Sequence, residues 1–187
     1  MENKNLLNFL HELSMLKRIK REGWRIAGVE MPESVSEHSL RAAQIGYVLA
    51  KMAGNADAHR VCSMLVFHDI GECRIGDLHK IAQRYVKADE ERVVREQTEK
   101  LGEAGKEIFA LWKEVEEQST KEGIIAKDAD FLEVAITAKE YMELGYPSAK
   151  DWIENVGGKL RTPSAKELFS ILLNSSSSGW WKGLKKK

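Results

Sequence analysis

The sequence predicts an all-α protein folded as a single-domain helical bundle, and three observations carry that reading. Nearly every segment of the 187 residues sets its apolar side chains at the three- and four-residue intervals of an amphipathic helix. Alternating Val-, Ile- and Thr-rich runs bounded by turn residues are missing. Helix-start signals stand where periodic stretches begin: Ser34 with Glu37 three residues on, Asp57, and Thr162 followed by Pro163.

The first helix is expected over roughly residues 3 to 20, with Leu6, Leu10, Leu13 and either Leu16 or Lys17 along one face, ending before Gly23. A connection through Gly28 and Pro32 leads to a second helix reaching about Ala53. Its inward stripe is read as His38, Ala42, Ile45, Leu49 and Met52, and its wet face as Glu37, Arg41, Gln44 and Lys51. Asp57 caps a third helix in which Val61, Leu65, His68 and Glu72 follow one another, with an apolar body from Val61 to Ile70. Gly71 and Gly76 break the pattern, and Asp77 falls in the next loop. Amphipathic helices follow over 89–101 and 105–118, then a longer one from about Ile124 to Leu144 with Asp128 and Asp130 near its start. Thr162 and Pro163 open a last helix to about Leu173. Residues 1–174 form the domain; 175–187 read as a serine linker, Ser175 to Ser178, followed by Trp180, Trp181 and a solvated lysine tail. The tryptophan pair suits packing on a groove or a neighbouring subunit.

Composition narrows the function classes. Twenty-nine basic and 29 acidic residues cancel, so no global positive field argues for coating a polymeric nucleic acid or an anionic membrane. No stretch approaches the roughly 18 uncharged apolar residues of a spanning helix, and the first residues lack the apolar core of a signal peptide. A soluble, unprocessed, cytoplasmic protein is expected. Cys62 and Cys73 lie in helical patterns without a CxxC spacing, which fits reduced thiols in that compartment.

The chemistry concentrates at Phe67-His68-Asp69-Ile70-Gly71-Glu72, with Ser36-Glu37-His38 upstream and Asp128-Ala129-Asp130 downstream. Burying charged and imidazole groups on inward faces costs free energy unless they are paired or bind a metal. Two imidazoles and two carboxylates from three helices suit one divalent ion with open coordination positions, the requirement of metal-assisted hydrolysis. Spacing leaves the last ligand open, because Asp128 shares a stripe with Ile124, Phe131 and Ala135, and Asp130 with Ala126, Val134 and Tyr141. Between the His-Asp pair and that aspartate the one histidine is His79. His11 and His59 are expected at the surface.

The order His, His-Asp, Asp resembles the HD-domain metal-dependent phosphohydrolases. Leu16 through Trp24, Pro32 through His38, and His68-Asp69 with Glu72, Gly76, Asp77 and Leu78 together resemble that family's 5'-deoxynucleotidase branch. The resemblance spans about residues 6 to 145. It implies an HD-domain bundle with His38, His68, Asp69 and Asp130 as metal ligands, Glu72 and Asp77 as catalytic residues, and Arg21 and Trp24 as phosphate and nucleoside contacts. Asp128 then takes a helix-start or supporting role. Glu22-Gly23 stands between Arg21 and Trp24, where the bacterial enzymes have Arg and Trp adjacent.

What the resemblance implies for function is removal of the 5'-phosphate from nucleoside monophosphates, with deoxyribonucleotides foremost, by a homodimer. One divalent ion per subunit is expected. The mixed imidazole and carboxylate donors suit manganese, cobalt or another first-row transition metal. Glu72, one turn beyond His68, is placed to orient and deprotonate the attacking water. Asp77 is placed to protonate the leaving 5'-oxygen or to hold the sugar. The rival readings are hydrolysis of pyrophosphorylated nucleotides or deoxynucleoside triphosphates on the same metal, and a non-catalytic nucleotide-sensing module.

Overall fold

In the computed structural model, which describes residues 2–185, the helical reading holds: no strand occurs among the described residues, and one isolated antiparallel bridge joins Lys20 to Ser34. The helices are α1 (Asn3–Leu13), α2 (Gly23–Ile26), α3 (Val35–Ala53), α4 (Ala58–Phe67), α5 (Glu72–Ile75), α6 (Glu90–Thr98), α7 (Gly102–Glu117), α8 (Lys121–Glu143), α9 (Lys150–Gly157), α10 (Pro163–Leu173) and α11 (Gly179–Lys182). None of the described helices is long and apolar enough to cross a membrane.

Local chemistry sets the starts of the long helices. The Ser34 hydroxyl accepts from the Glu37 amide at 3.2 Å, while a Glu37 carboxylate oxygen accepts from the Ser34 amide at 2.6 Å, the reciprocal cap that opens α3. Asp57 accepts from the amides of His59 and Arg60 to cap α4, and Thr120 and Thr162 do the same for α8 and α10. Each cap satisfies amide donors that have no partner inside the helix.

The main core lies where α3, α4 and α8 meet. Small residues let the backbones approach: Ala42, Ala43 and Gly46 of α3 face Ala126 and Ala129 of α8, with Leu49, Met64, Leu65 and Leu132 filling between them. A Cβ on Gly46 would overlap the side chains of Leu65 and Val61, so this position requires the absent side chain. A second cluster of Leu16, Val35, Ile70, Val94 and Trp112 closes one side of the bundle, and a third of Trp24, Val29, Ala138 and Ile153 closes the other. The three clusters hold the ends of α3 and α4 and the first half of α8 in one place.

Several expected boundaries shift. The first helix stops at Leu13 and continues as a 3-10 turn, Ser14–Lys17; the buried residue of α1 is Phe9, while Leu10 is 54% exposed. Of the expected stripe, Leu16 is buried and Leu13 packs against the second cluster, whereas Leu10 faces solvent. Met52, expected on the inward stripe, is 43% exposed, while Leu49 and Ala50 of the same turn are buried. The third helix ends at Phe67, and residues 68–71 form a turn before α5. Helix α9 falls in a stretch for which the sequence suggested no element. The serine segment is held, since Ser176 and Ser177 donate to the Glu143 carboxylate. Of the lysine tail, residues 186–187 lie outside those described.

Candidate metal centre

Ending α4 at Phe67 is what frees the His-Asp pair. In a continuing helix His68 and Asp69 would point in directions about 100° apart; in the turn both face the start of α3 and the middle of α8. His38 arrives from the first turn of α3, and Asp130 from the third turn of α8.

The imidazoles are fixed through their inner nitrogens. His38 Nδ1 lies 2.5 Å from Glu133 Oε2, and His68 Nδ1 lies 2.7 Å from the Leu65 carbonyl oxygen. Both partners are acceptors, so each Nδ1 carries the hydrogen and each Nε2 lone pair points the other way. Those two Nε2 atoms are buried and have no hydrogen-bond partner. They converge on carboxylates: His38 Nε2 is 3.2 Å from Asp130 Oδ1 and 3.7 Å from Asp69 Oδ2, and His68 Nε2 is 3.2 Å from Asp69 Oδ2 and 4.0 Å from Asp130 Oδ1. One donor atom each from His38, His68 and Asp130 lie within 4.8 Å of one another, close enough to hold a metal ion. Asp69 reaches both histidines from the Arg21 side. Two buried lone pairs and two carboxylates fit a divalent transition metal.

The electrostatics select for positive charge. Burial and Arg21 oppose protonation of His38, yet the Glu133 and Asp130 carboxylates outweigh them and draw its pKa up. Burial works against the charged form of Asp130 too, but Lys127 and the histidines hold its pKa well below the usual range. A second grouping, Glu33 with His38 and Glu133, also comes within ligating distance. Its donors are already engaged: Glu33 Oε1 accepts from the Trp24 indole at 3.0 Å, and Glu133 accepts from His38, Arg41 and Thr137. It supports His38 from behind.

The centre opens on a cavity of about 910 Å³. Glu72, first residue of α5, lines it with one buried oxygen, Oε2, that has no partner. Burial, then the Asp69 charge, pushes its pKa well above the carboxylate range. Asp77 lies at the edge, accepting from the Glu22 amide at 2.5 Å and facing Arg21 at 3.5 Å. Arg21 also faces Asp69 at 3.4 Å and Glu72 at 3.8 Å, so it ties three carboxylates together. Trp24 touches the cavity but is 2% exposed, enclosed by Tyr141 and Trp152. Asp128 stands apart, its carboxylate accepting from the amides of Arg161 and Thr162 and from the Thr162 hydroxyl.

Sequence reasoning missed Glu133, Lys127 and Trp152, and placed Arg41 on the wet face. Arg41 is half-buried and binds Glu133 and Glu140, because Glu133 needs a second donor once His38 has taken one oxygen. A signal was available: Lys127, Asp130, Glu133, Thr137 and Glu140 recur every three or four residues, a polar stripe along an otherwise apolar helix.

A helical bundle that gathers His, His-Asp and Asp at the rim of a cavity defines a class, and residues 13–171 match the HD domain family. The chain belongs to it. It is similar to the 5'-deoxynucleotidase HDDC2 of Dictyostelium discoideum, with 35% identity over 88% of this chain and 94% of the relative, and to its human namesake, with 33% identity over 90% and 85%. Among solved structures, a conserved hypothetical protein from Pyrococcus furiosus superposes with a TM-score of 0.76 at 31% identity, covering 90% of this chain and 99% of that one.

Proposed function

We propose that this protein is a metal-dependent phosphoric monoester hydrolase that removes the 5'-phosphate from nucleoside monophosphates, deoxyribonucleotides foremost. The observation that carries this reading is the pair of unpartnered, buried Nε2 atoms meeting two carboxylates at the rim of a cavity large enough for a nucleotide. The HDDC2 relatives, named 5'-deoxynucleotidases, support the substrate class.

His38, His68, Asp69 and Asp130 are the proposed ligands of one divalent ion, manganese, cobalt or another first-row metal. Such an ion supplies Lewis-acid polarisation of a phosphoryl oxygen and a more acidic water. The chain's own residues do the rest. Glu72, which lines the cavity and whose buried Oε2 has no hydrogen-bond partner, orients the attacking water and takes its proton in the ionised form that a cation beside Asp69 would favour. Arg21 keeps Asp69, Glu72 and Asp77 in register. Asp77 serves the sugar and leaving-oxygen side, and Trp24 with Trp152 forms the aromatic wall next to Gly23.

The reading extends to a catalytic unit of residues 1–174 with 175–187 as a tail, acting as a cytoplasmic homodimer. Two free cysteines fit a reducing compartment. An apolar groove of about 370 Å³ between α3, α8 and α10, edged by the exposed Val48 and Ile171, supports the dimer.

The test is phosphate release from a panel of deoxy- and ribonucleoside monophosphates with manganese, cobalt, zinc and magnesium in turn. Release of inorganic phosphate and nucleoside is expected, and no release with any metal refutes the reading. Glu72→Gln should cost about 10²- to 10⁴-fold in turnover while metal content stays unchanged.

A further inference from the structure

The cavity has a second charged feature that the reaction above leaves unused. Arg21, the cation expected from sequence to meet phosphate, already faces Asp69, Glu72 and Asp77, so its charge is balanced within the protein. Three lysines also line the cavity, together with the acidic Glu90, Glu116 and Asp151. Lys127 reaches Asp130 Oδ2 at 3.1 Å and Glu116 at 3.8 Å. Lys80 donates to the neutral Gln83 amide oxygen. Lys159, between α9 and α10, has no ion-pair partner among the described residues and lies 5.3 Å from the centre of the Phe131 ring. Lys127 approaches the same ring at 5.6 Å.

All three lysines line the cavity, from three separate segments of the chain. They sense one another: burial first, then the charges of Lys80 and Lys127, hold the Lys159 pKa below the usual lysine range. Lys80 and Lys159 have no ion-pair partner among the described residues, so a multivalent anion entering the cavity meets two unpaired ammonium groups. Lys127 links the two features: it pairs with Asp130 at 3.1 Å and approaches the same Phe131 ring as Lys159.

We propose that Lys159, flanked by Lys80 and Lys127, receives the phosphate group of the ligand, on a part of the cavity lining separate from Arg21, whose charge Asp69, Glu72 and Asp77 already surround. The ligand's being a nucleotide rests on the proposed function; the anion site does not. A phosphate oxygen accepting from an ammonium makes a charge-assisted hydrogen bond, stronger than a neutral one.

The experiment is titration calorimetry of inorganic phosphate into the manganese-loaded protein for wild type, Lys159→Gln, Lys159→Arg and Lys166→Gln, the last an exposed lysine of α10 that controls for net charge. Lys159→Gln is expected to weaken phosphate binding about tenfold, the loss of one charge-assisted contact. Lys159→Arg should restore most of it, Lys166→Gln should match wild type, and manganese stoichiometry should be the same in all four. With substrate, Lys159→Gln should raise KM for a nucleoside monophosphate. Unchanged phosphate affinity in Lys159→Gln, an equal loss in Lys166→Gln, or no phosphate binding by wild type overturns the proposal. Lysine-dependent phosphate binding without hydrolysis of any nucleotide would uphold it while refuting the proposed function.

Discussion

His38 Nδ1 and Glu133 Oε2 lie 2.5 Å apart, both fully buried, and this contact decides which nitrogen of His38 faces the cavity side. Glu133 is held in turn by Arg41 at 2.9 Å and by the Thr137 hydroxyl at 2.8 Å. Removing it frees the ring to rotate and leaves Arg41 short of a partner. Glu133→Ala should therefore weaken metal affinity about 10- to 100-fold, read by competition with a chelating dye. His38→Ala and Glu133→Ala combined should lose little more than His38→Ala alone.

Asp128 and Asp130, two residues apart on α8, should separate cleanly. Asp128 satisfies two backbone amides and the hydroxyl that caps α10, so Asp128→Ala should destabilise the fold by about 2–4 kcal/mol with metal stoichiometry retained. Asp130→Ala should abolish metal binding and cost less in stability, since it also relieves the desolvation of a buried carboxylate. Urea unfolding beside metal analysis distinguishes them.

Which parts of this were legible in the sequence follows from range. The capping pairs Ser34/Glu37 and Thr162/Pro163 act within one turn, so they marked α3 and α10 directly. His38, His68 and Asp69 stood out as polar groups on apolar faces. The choice of Asp130 over Asp128 was not legible from periodicity, because both lie on stripes with apolar members; what settles Asp128 is Thr162, 34 residues away. The surroundings of Arg21 were not legible for the same reason: Asp69, Glu72 and Asp77, which close around it, lie about 50 residues further along the chain.

The cap of α3 gives a pH signature. Hydrogen bonds from the Ser34 amide and hydroxyl hold the Glu37 pKa below its ordinary value. A carboxylate whose folded pKa is depressed contributes stability above its unfolded pKa, about 4.3, and loses it as pH falls through the folded one. Glu37→Gln should thus be less stable than wild type at pH 7, with the gap closing below about pH 4. Urea midpoints across that range measure it. A gap that stayed constant would assign the effect to shape, not charge.

Metal removal should register as loss of stability as well as of activity. Without a cation, the two buried Nε2 atoms have no hydrogen-bond partner and lie beside the Asp69 and Asp130 carboxylates. Binding that is confined to the folded state stabilises it by about 2.7 kcal/mol at a free metal concentration 100-fold above Kd. For a chain of this size that corresponds to a fall in Tm of about 5–10 °C on chelation. Readdition of manganese or cobalt should restore it. Asp130→Ala and His68→Ala should melt at the same temperature with and without chelator, because neither retains the full donor set. A chelator effect that persisted in both variants would place the stabilising ion elsewhere in the fold.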